Sequence, residues 1–233
     1  MVVKLEVINE LDNLYNRAVD LMTEQLNGGA NTFGLATGGT MLPLYEKLRS
    51  SELDFSNCQS VNLDEYVGIP QSHPESYKSF MNTQLFGVKP FKQSFLPDGE
   101  ASDVQAEAIN YENILKSSEL DFQLLGIGEN GHIGFNEPGT PFASETHVVE
   151  LTDSTREANA RFFDSIDEVP KEAITMGIAS IMRAKCILLI AVGEKKRAAL
   201  EALLYGEMTE NTPVTCLQQH PNVIVLTDLN LAK

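Results

Sequence analysis

The chain has 233 residues, 42% hydrophobic and 21% charged, a balance that allows a globular fold with a buried core. Its formal net charge of -16 disfavours nucleic acids and anionic membranes as partners, because their phosphates would be repelled. The three cysteines form no Cys-x-x-Cys pair, and the N-terminal MVVKLEVINE lacks the apolar stretch of a signal peptide. Since no run approaches the roughly 18 apolar residues of a membrane span, the composition predicts a cytoplasmic protein.

Apolar residues recur along the chain with the spacings of alternating strands and helices. The predicted strands are 2–8, 32–36, 59–63, 94–96, one that begins at Leu124, 147–151, 185–192 and 223–226. The predicted helices are one from Glu10 to the glycines at 28–29, one from Leu42, and further helices over 77–85, 103–115, 155–163, 174–183 and 199–204. This alternation predicts an α/β fold with a mainly parallel open sheet and helices on both faces. No long linker divides the chain, so we expect one domain over 1–233.

The second predicted strand runs directly into a polar turn that consists of Thr37, Gly38, Gly39 and Thr40. Glycines let backbone N–H groups approach an anion, while a following helix N-terminus and threonine hydroxyls add attraction and donors. The Gly-Lys-Ser/Thr ending of a P-loop is missing. The turn therefore predicts either an anion-binding loop or a tight turn with a threonine N-cap, and the residues alone leave both open.

Polar side chains follow two further predicted strands. Asp64 comes after the strand 59–63, where an aspartate serves chemistry or caps a turn about equally often. The loop GIGENGHIGFNEPG follows the strand at Leu124 and carries Asn130, His132 and Glu137. Its Gly-x-Gly-x-x-Gly match does not predict a dinucleotide site, because the glycines and prolines that follow could not form the helix that this fingerprint requires.

These strand ends are expected to meet in one cleft, because the carboxyl ends of parallel strands share one edge of the sheet. The strand 185–192 adds Lys196 to that edge, and the helix 155–163 could add Arg161 as a second cation for an anion. An anion cradle beside Asp64 and a His132–Glu137 pair predicts proton transfer on a phosphorylated small molecule. No His-x-x-x-His or similar spacing indicates a metal site.

Several motifs, in order from about residue 30 to the C-terminus, resemble those of the glucosamine-6-phosphate deaminase (isomerase) family. They read LATGGT, NLDEYVG, HPESY, GENGHIGFNEPG, TREANARFF and CLQQHP. The resemblance implies a Rossmann-like sheet, no cofactor, and conversion of glucosamine 6-phosphate and water to fructose 6-phosphate and ammonium. The alternatives are a 6-phosphogluconolactonase or another sugar-phosphate isomerase of this architecture. A non-catalytic sugar-phosphate sensor is disfavoured, because the acidic chain offers no DNA-binding module.

The resemblance also implies a role for each matching residue. His132 would open the sugar ring, with Asn130 and Glu137 orienting its imidazole. Asp64 would move a proton from C2 to C1 of the open-chain sugar. The phosphate would be held by the 37–40 loop together with two cations, Arg161 and Lys196.

The chain departs from the family pattern in two places. Some members carry aspartate where this chain has Asn130, so we expect a lower working pKa for His132 here. Longer members form hexamers that N-acetylglucosamine 6-phosphate activates, through cations on the strand after the loop and a C-terminal extension. Here that strand carries His147 and Val149, and the given sequence ends at Lys233. We therefore expect a monomer or small homo-oligomer without this activation.

Overall fold

The structure is a computed structural model that describes residues 3–231. Its strands are β1 (Val3–Val7), β2 (Thr32–Leu35), β3 (Gln59–Asn62), β4 (Asp64–Tyr66), β5 (Gln93–Phe95), β6 (Phe122–Leu125), β7 (His147–Glu150), β8 (Glu172–Thr175), β9 (Cys186–Ala191) and β10 (Val223–Thr227). Its α-helices are α1 (Leu11–Asn27), α2 (Leu42–Ser50), α3 (Tyr77–Met81), α4 (Val104–Ser117), α5 (Asp153–Asn159), α6 (Ile178–Met182) and α7 (Arg197–Tyr205). Residue 2, predicted to begin the first strand, lies outside the described range.

Seven strands form a parallel sheet in the order β1-β10-β9-β6-β2-β3-β5, and every neighbouring pair runs parallel. Every residue of β2, β6 and β9 is buried. Because successive side chains point to opposite faces, both faces of these central strands are covered. The predicted α/β fold is confirmed, and the short strand predicted at 94–96 is indeed the edge strand β5.

Three strands form a second sheet, in the order β4-β8-β7, and both of its pairings are antiparallel. The sequence predicted a strand over 59–63 with Asp64 after it, and β3 confirms this strand to within one residue. It did not predict that Asp64 begins a strand of its own. The prediction that 174–183 is mostly helical was wrong in its first part, because 174–175 belong to β8 and α6 begins only at Ile178. The chain leaves β3 at Leu63, and Asp64 pairs with Thr175 of β8.

The prediction of a helix over the whole of 174–183 was wrong because apolar residues of a strand and of the following helix happen to have helical spacing. Ile174, Ile178 and Ile181 have helical spacing and are all buried, but Ile174 lies in β8 and α6 begins only at Ile178. Spacing alone does not distinguish a short buried strand from a helix turn. The helix predicted over 155–163 is more nearly right, since α5 continues into a 3-10 turn, Ala160–Phe162.

The helices bury the apolar faces that their spacing predicts. α1 buries Leu14, Ala18 and Leu21, and α7 buries Leu200 and Leu203 against the same core. The cysteines are all free and buried: Cys58, Cys186 and Cys216. Among residues 3–231, no helix is long and apolar enough to cross a membrane.

Gly177 lies between β8 and α6, and a substitution there tests how closely this segment packs against the backbone at Ser144 and Glu145. A Cβ at this position would lie 2.1 Å from the carbonyl oxygen of Ser144 and 2.3 Å from that of Glu145. We expect Gly177→Ala to lower the free energy of unfolding by about 2 kcal/mol or more, because backbone has to move. Chemical denaturation followed by circular dichroism measures this change.

Gly126→Ala is the matched control for that measurement. A Cβ there would meet the Met41 methyl group at 3.5 Å, an ordinary contact, so its effect should stay within about 0.5 kcal/mol. Equal stabilities for the two variants would contradict the close packing described for Gly177.

Candidate active site

The loop after β2 presents backbone N–H groups at the start of α2. Gly38 has φ +99°, a left-handed conformation that glycine adopts at little cost, and both Gly38 and Gly39 are exposed. A 3-10 turn, Gly39–Met41, then leads into α2, and no side chain caps either helix start. The alternative of a threonine N-cap is therefore wrong. No side chain therefore occupies the N–H groups of the 37–40 loop, where an anion would bind.

Three tyrosines hold this loop in place. The Tyr15 phenol, on α1, donates to the Thr40 carbonyl oxygen at 2.7 Å, and the buried Tyr45 phenol donates to the Ala36 carbonyl. The Thr37 hydroxyl is within hydrogen-bonding contact of Tyr77 on α3. Anchoring from three helices preorganises the loop, so that binding an anion requires little further ordering.

The loop after β6 folds tightly against itself, and no helix follows Gly131 before β7. The Gly128 N–H donates to the His132 carbonyl at 2.9 Å, and Gly131 has φ +85°. A Cβ on Gly128 would lie 2.1 Å from the imidazole ring, so the ring packs directly on this glycine backbone. The loop glycines thus make room for the imidazole, and the dinucleotide fingerprint was rightly set aside.

A chain of hydrogen bonds orients that imidazole. His132 Nδ1 lies 2.8 Å from Asn130 Oδ1, and Asn130 Nδ2 donates to Glu137 Oε2 at 2.8 Å. Since the amide nitrogen of Asn130 faces the carboxylate, its oxygen faces the ring, and Nδ1 must be the donor. Nε2 of His132 is therefore the unprotonated nitrogen, free to accept a proton.

The electrostatic surroundings keep His132 neutral. Burial lowers the pKa of His132; the Glu137 carboxylate opposes this shift, and the Lys196 ammonium adds to it. A neutral imidazole at neutral pH can act as a general base without first losing a proton.

Asp64 opens β4 and lies beside the same loop. Its side chain is buried, and a Cβ on Gly134 would lie 3.8 Å from Asp64 Oδ2 and 3.0 Å from Thr175 Oγ1. Burial, together with the charge of Glu65, raises the pKa of Asp64 to about 8. A carboxylate in such surroundings is a far stronger base than one in water.

Glu65, the neighbouring carboxylate, has a structural role. Its oxygens accept backbone N–H groups from Tyr66 at 2.8 Å and from Tyr77 and Lys78 at 3.0 Å each. It therefore receives the N–H groups at the start of α3, where a negative charge is stabilised. It also contributes the nearby charge that disfavours ionisation of Asp64.

The structure places Lys196 and Arg161, the two cations predicted to bind the phosphate, in different surroundings. Lys196 lies in the 3-10 turn after β9, half-buried and close enough to lower the pKa of His132. An ion pair of 3.3 Å between Lys195 and Glu129 joins that turn to the loop after β6. Arg161 is exposed, and its guanidinium carbon lies 4.6 Å from the centroid of the Phe162 ring. The structure thus brings Lys196 to the cleft but does not join Arg161 to the 37–40 loop.

Two contacts involve side chains that the sequence had not singled out. Thr155 Oγ1, on α5, donates to Glu137 Oε1 at 3.2 Å, and Asn159 Nδ2 donates to the Tyr66 hydroxyl at 2.9 Å. Both residues lie in the motif TREANARFF, so the motif indicated the segment but not which side chains act. Within residues 3–231, no group of three or more His, Cys, Asp or Glu side chains is placed to hold a metal ion.

A family model described as glucosamine-6-phosphate isomerases/6-phosphogluconolactonase matches residues 8–225. The chain belongs to this family. The resemblance found from about residue 30 onward is therefore confirmed, and the match begins nearer the N-terminus than the motifs indicated.

The similarity to several family members, in sequence or in structure, extends over nearly the whole chain. The chain is 62% identical to the glucosamine-6-phosphate deaminase of Lysinibacillus sphaericus, over 88% of this chain and 93% of that protein. It is 54% identical to the glucosamine-6-phosphate deaminase of Lactobacillus delbrueckii subsp. bulgaricus, over 97% of this chain and 96% of that protein. The solved structure of a monomeric glucosamine-6-phosphate deaminase superposes with a TM-score of 0.92 at 43% identity, covering 96% of each chain. A 6-phosphogluconolactonase from Thermotoga maritima superposes at 0.76 with 18% identity, covering 97% of this chain and 98% of that one, which is a likeness of fold alone.

The substitution Asn130→Asp tests how the residue at position 130 controls the pKa of the His132 imidazole. A second carboxylate next to His132 stabilises the imidazolium, so the pKa of His132 should rise by about one unit. Because Asp64 and His132 must both be unprotonated, the acid limb of the pH–rate profile steepens below the pKa of His132, and this break should move to higher pH by the same amount. The profile of kcat/KM between pH 5 and pH 9 measures it.

Asn110→Asp is the control, because it adds the same charge to an exposed position on α4. It should leave the acid limb where it is. An unchanged limb in Asn130→Asp would contradict the role that we assign to the amide at position 130.

Proposed function

We propose that the chain is a glucosamine-6-phosphate deaminase, which converts glucosamine 6-phosphate and water to fructose 6-phosphate and ammonium in the cytoplasm. One observation carries the proposal: the loop after β6 carries a neutral imidazole, His132, and at Gly134 passes beside a buried carboxyl of raised pKa, Asp64. Both groups lie at the edge that also holds the anion loop. Identities of 54% and 62% to deaminases over nearly the whole chain support the same reaction.

His132 performs the first step, opening of the pyranose ring. Its free Nε2 takes the proton of the C1 hydroxyl and returns it to the ring oxygen as the C1–O5 bond breaks. The imidazolium formed in between is stabilised through Asn130 by the Glu137 carboxylate, whose Oε2 lies 3.7 Å from Nδ1. The products of this step are the open-chain aldehyde and the regenerated neutral imidazole.

Asp64 performs the isomerisation. As carboxylate it takes the C2 proton, which gives an enolamine, and as carboxylic acid it returns that proton to C1. The resulting C2 imine adds water and releases ammonia, which leaves the C2 ketone. A pKa of about 8 suits both halves of the step, since a catalytic group works best when its pKa is near the operating pH.

The phosphate is held by the N–H groups of the 37–40 loop and by Lys196. This arrangement lets a protein with a net charge of -16 bind an anion through local donors. Arg161 becomes the second cation when its guanidinium turns from the Phe162 ring toward the phosphate.

Ammonium release from glucosamine 6-phosphate by wild type and Asp64→Asn tests the function. Wild type should release ammonium and form fructose 6-phosphate, and Asp64→Asn should lose at least about 10²-fold in kcat because the C2 base is gone. Asp20→Asn, an exposed change on α1, should keep wild-type activity. A coupled assay of each product measures both rates, with and without a chelator.

The same proteins distinguish the alternative function. A lactonase needs no base for a carbon-bound proton, so Asp64→Asn would spare hydrolysis of 6-phosphogluconolactone. No ammonium from wild type, together with lactone hydrolysis, would replace the proposed function by this one. Activity lost on chelation would point to a metal hydrolase.

We further propose that the enzyme is a monomer or small homo-oligomer without allosteric activation. His147 and Val149 of β7 stand where activated family members use cations. Initial rates should follow a hyperbolic dependence on glucosamine 6-phosphate and stay unchanged when N-acetylglucosamine 6-phosphate is added. A sigmoidal curve that this compound makes hyperbolic would refute the proposal.

A further inference from the structure

The two oxygens of the Glu137 carboxylate have different partners. Oε2 accepts the amide N–H of Asn130 at 2.8 Å, within the loop after β6. Oε1 accepts the hydroxyl of Thr155 at 3.2 Å, from the first part of α5. Glu137 is therefore held between two elements that are separate in the chain, and only one of them carries the imidazole.

The direction of the Thr155 hydroxyl is determined by its other neighbour. Thr152, the N-cap of α5, accepts the Thr155 backbone N–H at 3.2 Å. The Thr152 hydroxyl also donates to Thr155 Oγ1 at 2.9 Å. Because Thr155 Oγ1 receives this bond, its own proton is directed to Glu137. The hydrogen bonds thus form a continuous series from the α5 cap to His132 Nδ1.

α5 depends on polar contacts of this kind for its position. None of its side chains is fully buried, so apolar packing restrains it weakly. Asn159 donates to the Tyr66 hydroxyl at 2.9 Å, and Arg156 donates to the Ile166 carbonyl at 3.0 Å. The Thr155 hydroxyl is the contact that joins this helix to the hydrogen-bonded series of the imidazole.

We propose that Thr155 is a positioning residue, which holds Glu137 so that Asn130 keeps His132 in its Nδ1–H tautomer. Its effect on ring opening rests on the proposed deaminase function; the hydrogen-bonded positioning does not.

Thr155→Val removes the hydroxyl and keeps the shape of the side chain. We expect kcat to fall about tenfold with a smaller change in KM, because a bond to a charged group is lost while the phosphate site stays intact. The break at which the acid limb of the pH–rate profile steepens, set by the pKa of His132, should move to higher pH, because Glu137 without this donor favours the imidazolium more strongly. Thr155→Ser keeps a hydroxyl and should restore both values to within about twofold of wild type.

Thr23→Val is the matched control, since Thr23 lies on α1 and bonds only the carbonyl of its own helix, at Val19. It should change neither kcat nor the pH profile. A fall in kcat as large in Thr23→Val as in Thr155→Val would overturn the positioning role.

A second readout does not depend on turnover. The chain has four histidines, and the NMR signal of His132 is assigned by its loss in His132→Gln. Titration of the free protein should show a raised pKa for His132 in Thr155→Val and a wild-type value in Thr155→Ser. An unchanged pKa in Thr155→Val, or a shift that Thr155→Ser does not reverse, would overturn the positioning role. Failure of wild type to release ammonium would overturn the deaminase function and leave this titration to decide the positioning.

Discussion

The central strands β2, β6 and β9 are buried on both faces, and this burial determines where polar chemistry can occur in the molecule. Within these three strands Thr32 and Gln123 are the only polar residues, and the other side chains are apolar. The charged groups next to these strands therefore lie in the loops at the strand ends. Since these strands run parallel and adjacent, the loops that follow them meet at one edge and form one cleft.

Burial acts on the two central groups of that cleft in opposite directions. It raises the pKa of Asp64 to about 8 and lowers that of His132, because in both cases the neutral form is favoured in apolar surroundings. The carboxyl becomes a stronger base, and the imidazole stays unprotonated at neutral pH. Burial thus prepares the Asp64 carboxylate to accept a proton from carbon and the His132 imidazole to accept a proton from a hydroxyl group.

The cleft is assembled from both sheets. The parallel sheet supplies the anion loop, the imidazole loop and Lys196, whereas Asp64 belongs to the antiparallel sheet through its pairing with Thr175. Gly134 brings the two together, since its backbone passes beside both Asp64 and Thr175 with no side chain between them. α5 then reaches Glu137 through the Thr155 hydroxyl, so the orientation of the imidazole depends on the position of this helix.

The sequence by itself determined the α/β class and the strand ends that carry polar residues, because local periodicity and glycine spacing reflect which faces are buried and where the backbone must turn. The family was found from motifs that resemble those of its members. The site residues Asp64, Asn130, His132 and Glu137 were predicted from the strand ends and from that resemblance. Only the tertiary structure decided that Asp64 starts an antiparallel strand, that 174–175 is not helical, and that Arg161 lies on Phe162. It also revealed the Thr155 bond to Glu137. Such features depend on which distant segments pair, and a pairing between strands leaves no periodic trace in either strand alone.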